Sequence, residues 1–155
     1  MNLMNLMNFQ LELTTQDPTD VNYLSSGYIS IIGQDTTISN KGLMPNQACT
    51  LFPSIALLMD QLVELEMHDQ QQRLFCALGS NFRFKMELIG EELKLTSDIG
   101  EIQCTIDSFA KKLWCSFQEL IKIYTIEIED LGAMSEDLFM SQLNFKVTFA
   151  FVLNS

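Results

Sequence analysis

The sequence predicts a two-layer α+β domain: a mostly antiparallel sheet of about five to seven strands, with two main helices, at about 53–67 and 107–127, packed on one face. Three observations carry this expectation. Residues 107–126 place Phe109, Leu113, Trp114, Phe117, Leu120 and Tyr124 at steps of three and four, the period of a helix with one wide apolar stripe. Phe82, Phe84, Met86 and Leu88 alternate with Arg83, Lys85 and Glu87, the period of a half-buried strand. Tight turns at Gly79-Ser80, Gly90-Glu91-Glu92 and Asp98-Ile99-Gly100 separate this strand from neighbours on either side, as antiparallel pairing requires.

The elements follow in order. The repeated triplets at Met1, Met4 and Met7 read as a ragged, disordered start over residues 1–7, and the 155 residues as a single domain. Phe9, Leu11 and Leu13 alternate with Gln10, Glu12 and Thr14, a strand over 8–14. Asp17-Pro18 opens a loop to about 27, and Tyr28–Ile32 reads as a second strand that resumes over 36–39. Asn40-Lys41-Gly42 is turn chemistry, with loop to residue 50. Pro53 suits a helix first turn, where its missing amide is not needed, and Ile55, Leu58, Met59, Leu62 and Leu65 keep helical spacing to Met67. His68 begins a polar break. Strands are expected at 73–78 and 82–88, from Leu93, and through Ile102, Cys104 and Ile106 into the second helix, capped by Asp107 or Ser108. Gly132 is the expected helix stop. Ser135 with Glu136 and Asp137 marks a short helix start, and the alternation of Phe145, Val147, Phe149, Phe151 and Leu153 favours a final strand.

Composition narrows function mainly by charge. Twenty acidic and nine basic residues give a net charge of −11. That speaks against nucleic acid and against anionic membrane surfaces as partners, and leaves basic proteins. Residues 73–126 are neutral, whereas 48–72 and 127–155 each carry −4. No apolar run approaches the roughly 20 residues that span a bilayer, and no secretory leader is read, so a cytoplasmic setting is expected. There Cys49, Cys76, Cys104 and Cys115, none in a CxxC pair, read as buried free thiols.

Catalytic chemistry finds little to work with. There is no Gly-rich phosphate loop, no GxSxG elbow and no HExxH. His68 is the only histidine, so a serine or cysteine nucleophile lacks a base except in a polar break. The carboxylates show no spacing that separates an acid–base pair or a cation site from a solvated surface. No enzyme activity, cofactor or metal is expected. The helix and strand aromatics read as core, whereas Tyr23, Tyr28 and Phe52, in or beside loops, are the expected exposed ones. The residues expected to face a partner are therefore Asp60, Glu64, Glu66, Asp69, Glu127, Glu129 and Asp130, with Tyr23 and Tyr28 as aromatic anchors.

An acidic chain of this length, with alternating strands such as FRFKMELIGEELKLTS, a following helix SFAKKLWCSFQELI and no enzyme signature, resembles the small immunity proteins of bacterial polymorphic toxin and contact-dependent inhibition systems. The resemblance is of type and carries no diagnostic motif, so no family site transfers. It implies a cytoplasmic protein that binds one cognate toxin domain, such as a basic nuclease, and blocks it, as a monomer or a homodimer. The runner-up is a dimeric type III secretion chaperone holding an effector segment, against which the expected opening strand counts. A small ligand-binding domain comes third.

Overall fold

The computed structural model describes residues 6–68, 71–131 and 135–154. The α+β class holds, but among the described residues the strands number eight and divide into two four-stranded antiparallel sheets. In the first sheet β1 (Leu6–Leu13) pairs with β2 (Ser26–Gly33), whose far edge is shared end to end by β3 (Thr37–Ser39) and the short β4 (Cys49–Thr50). The second is a simple meander of β5 (Gln72–Cys76), β6 (Arg83–Ile89), β7 (Glu92–Ser97) and β8 (Gly100–Thr105). One continuous sheet does not form because β4 returns to β2 before the chain enters its first helix, and β5 then pairs only with β6. Only tight turns compel neighbours to pair. Gly90, at φ +62, opens the two-residue link between Ile89 and Glu92, where a backbone of that sign favours glycine. The opening strand includes Leu6 and Met7, two residues of the expected disordered start; the rest of that start, residues 1–5, lies outside the described residues.

β2 is tightly built in. A side chain at Gly27 would meet the Glu12 carbonyl at 2.5 Å and Leu51 at 2.6 Å, so only glycine lets helix and strand close there. The fully buried Asn40 holds the loop that follows β3. Its Oδ1 accepts from the Ile29 amide (2.7 Å), and its Nδ2 donates to the carbonyls of Gln47 (2.9 Å) and Gly27 (3.3 Å). With all three bonds made, a polar side chain can sit in the core without the desolvation penalty of an unpaired one.

α1 (Leu51–Met67) begins two residues before the expected Pro53. Its Ser54 hydroxyl donates to the Thr50 carbonyl (2.7 Å) and accepts from the Leu78 amide (3.0 Å), stitching the helix start to the end of the β5 hairpin arm. α2 (Ile106–Tyr124) ends at Thr125, whose left-handed backbone (φ +52) closes it three residues short of the expected 127. The expected stop, Gly132, lies outside the described residues. The cap is Thr105, whose hydroxyl accepts from the Ser108 amide (3.1 Å); Asp107 and Ser108 are already inside the helix. α2 packs on β1 through Phe109 edge-on to Phe9 (centroids 5.5 Å apart). The Ser116 hydroxyl bonds the Phe9 carbonyl, and the Tyr124 hydroxyl bonds that of Thr15 (2.9 Å). Phe117 is wholly buried, and burial of such a ring is worth about 2–3 kcal/mol.

The expected final strand is instead helical: α3 (Ser135–Thr148) and the one-turn α4 (Ala150–Leu153). Phe145 and Phe149 lie one turn apart on the same side and are buried, with Phe145 stacked on Trp114 (6.0 Å, 18°). Val147 and Phe151, two residues on from each, fall on the opposite side and are exposed. An alternating run is also two rows of i, i+4 residues on opposite faces of a helix, and here α1 and α2 supply the core for one of them.

Of the cysteines, Cys49 and Cys104 are buried as expected, while Cys76 and Cys115 are exposed, on the outward faces of β5 and α2; all four are free thiols. No described helix is long and apolar enough to cross a membrane.

Candidate functional site

Helices α1 and α3 pack together but leave a groove of about 580 Å³ along one side of their contact. Its floor comes from Pro53, Ala56 and Leu57 of α1. Its rim carries three exposed apolar side chains, Leu24, Leu78 and Met140. Two carboxylates face into it, Asp60 of α1 and Asp137 from the first turn of α3, together with Tyr23, Ser141 and Asn144. The acids arrive there for different reasons. Asp60 lies one residue beyond the buried Met59 and two before the buried Leu62, at the border of the apolar stripe. Asp137 precedes the buried Leu138, and an acid in the first helical turn also suits the unpaired amides there.

Burial pushes the Asp60 carboxyl above its ordinary range; the Ser141 hydroxyl bonded to it opposes the rise, and the charges of Glu64 and Asp137 add to it. Tyr23 is also raised, chiefly by burial and then by Asp137 and Asp60. Among the described residues no cation stands in ion-pair contact with either aspartate. The site thus sets a half-buried Asp60 and an exposed Asp137 beside apolar walls, with no ion-pair partner for either among the described residues. Such an arrangement costs folding stability, and it favours an ammonium or guanidinium brought from outside.

The expected partner-facing residues do not form one patch. Asp60 is in the groove. Glu64, a turn further on, is engaged by Arg73, whose Nε and Nη2 both lie 2.6 Å from its carboxylate. Glu66 points elsewhere, raised by burial and by the neighbouring charges of Asp107 and Glu91. Asp69 lies outside the described residues, as does the side chain of Glu129. Glu127, just before the short turn Ile128–Leu131, and Asp130 within it are exposed, and the Leu131 carbonyl accepts from the Tyr23 amide (3.0 Å), which places that acidic turn beside the groove. Tyr23 is not an exposed anchor: it is 5% exposed, held beneath the rim. Phe52 is likewise buried. Tyr28 is half-buried in β2, its hydroxyl donating to Asn46 Oδ1 (3.3 Å), away from the groove.

Asp137 and Ser141 were absent from the expected site. Reading the C-terminal run as a helix would have found them, because the inward row Leu138, Ser141 and Phe145 sets Asp137 at its edge.

A second groove of about 750 Å³ lies between β1 and α2, but its charges are mixed: Lys41, Lys111 and Lys112 against Glu12 and Glu119, with Lys41 paired to Glu12 at 2.8 Å. Among the described residues no three His, Cys, Asp or Glu side chains are grouped to hold a metal ion. His68 is exposed just past α1. The Cys104 thiol is pushed up to about 12 by burial, and Cys49 is raised chiefly by burial, so both stay protonated. No family model, curated protein or solved structure matches the chain.

Proposed function

We propose that this chain is a non-catalytic binding protein, an immunity protein that neutralises a cognate toxin domain, and that the α1–α3 groove takes a lysine or arginine of that basic partner. The single observation that supports this most is the half-buried Asp60, with the exposed Asp137 lining the same groove, beside apolar walls and with no described cation to balance either. A partner cation entering there gains a desolvated charge-assisted contact, while Leu24, Leu78 and Met140 supply apolar area around it. The remaining acidic excess, including Glu127 and Asp130 on the adjacent turn, would speed encounter by steering. The reading sets the protein in the cytoplasm, where a toxin would be met.

The test uses the full chain as bait in lysate of its native host, with Asp60→Lys, Asp137→Lys and Glu66→Lys baits beside it. The expected result is one stoichiometric basic protein, lethal when expressed alone and harmless with this chain. Recovery should fall at least tenfold with either groove variant and persist with Glu66→Lys. A bait that recovers no such protein removes the immunity reading. Recovery indifferent to both groove substitutions removes the groove.

A further inference from the structure

We infer that the outward face of α3 and α4 is an interface between two copies of this chain. Phe139, Leu143, Val147 and Phe151 follow one another at intervals of four, so they form a single ridge along one side of the helix. The ridge is about 18 Å long at the helical rise per residue. It points away from Leu138, Phe145 and Phe149, which are buried on the opposite side. Its two C-terminal members are among the most exposed apolar residues described: Val147 at 77% and Phe151 at 94%. Together the four present on the order of 500 Å² of apolar side chain, at the upper end of what a monomer leaves in one patch.

Three features favour a second copy as the cover. The first is self-complementarity. A two-fold interface must match itself, and an antiparallel approach about a point midway between Leu143 and Val147 sets Phe139 against Phe151 of the partner subunit and Leu143 against Val147 of the partner subunit. Identical ridges of this kind interlock at about −50°, the commonest helix crossing. The second is area: two such faces remove on the order of 1,000 Å² of apolar surface from water, and the flanking polar groups bring the total near the lower range of stable interfaces. The third is charge. A chain at −11 repels its own copy across most of its surface, but along this ridge Glu136 is offset by Lys146. A basic partner finds no net acid here to pair with, whereas a like-charged copy meets no net repulsion.

The inference stands apart from the groove's role, and the two fail separately. Light scattering or sedimentation of the full chain across the micromolar range should give twice the 17.7 kDa mass of one chain, with dissociation on dilution. Val147→Lys and Phe151→Asp should each halve that mass with far-ultraviolet circular dichroism unchanged, because both positions are exposed. Asp60→Lys should leave the mass doubled. A single-chain mass at every concentration overturns the inference, and so does a dimer that survives both substitutions. A single-chain mass combined with loss of partner capture in Val147→Lys would give the face to the partner instead.

Discussion

Helices α2 and α3 are both rich in apolar residues, and they place them differently. In α2, Phe109, Leu113, Phe117 and Leu120 converge on one buried stripe, while Gln118, Glu119 and Lys122 turn to water. In α3 and the turn after it, one row is buried against α1 and α2, and a second, equally apolar row faces outward. A helix apolar on both sides is stable only if both sides are covered. The chain covers the main apolar stripe of α2, leaving only Ile123 near its end well exposed among that helix's large apolar residues, and covers α3 by half. So α2 is accounted for by the fold, and α3 is the element whose surroundings point beyond it.

The largest effect that would sharpen this contrast belongs to α2. Phe117→Ala deletes a wholly buried ring and leaves a cavity; a loss of about 3–5 kcal/mol in urea unfolding is expected. A loss below about 1 kcal/mol would mean that α2 is not the packed centre described above. A smaller effect concerns the seam. Trp114 of α2 stacks on Phe145 of α3 at 6.0 Å, so a double-mutant cycle of Trp114→Ala and Phe145→Ala should return a coupling of about 0.5–1.5 kcal/mol. Additivity there would detach α3 from the core of α2 and break the comparison, because both rows of α3 would then need an outside explanation.

Legibility in the sequence follows the same division. α2 was readable because its stripe has a single period and its polar residues fill the complement. The β5–β8 meander was readable because its turns leave no room for any pairing but the next strand. The division into two sheets was not, since pairing of β4 with β2 depends on a two-residue contact and on the Asn40 network, neither of which has a periodic signature. The C-terminal run was misread as a strand because Phe145, Val147, Phe149, Phe151 and Leu153 satisfy a period of two; only the neighbours decide, and they bury alternate members. That misreading also hid half of the candidate site. Asp60 was found from charge alone, but Asp137 and Ser141 join it only once α3 exists. Tyr23 failed as an exposed anchor because a loop position says nothing about cover, and the turn at Leu131 supplies it.

The smallest effect lies where α1 meets α3. The Asp60 carboxyl is raised from its ordinary 3.8, chiefly by burial, with Glu64 and Asp137 adding to the rise that the Ser141 hydroxyl opposes. A raised carboxyl binds its proton more tightly when folded than when unfolded. Its contribution is therefore favourable below the unfolded value, and it is lost as pH rises through the folded one, so at neutral pH the charge is a net cost. Asp60→Asn removes that charge and keeps the shape. A gain of a few tenths of a kcal/mol is expected at about pH 7, discounted for the solvent that still reaches the group, and shrinking as pH falls toward 3.8. Urea midpoints at the two pH values measure it. If Asp60→Asn instead destabilises at neutral pH, the Ser141 hydrogen bond outweighs the burial and the carboxylate is structural. If it stabilises while weakening capture of a basic partner, then the position gives up stability for recognition, the pattern expected of a binding residue and not of a packing one.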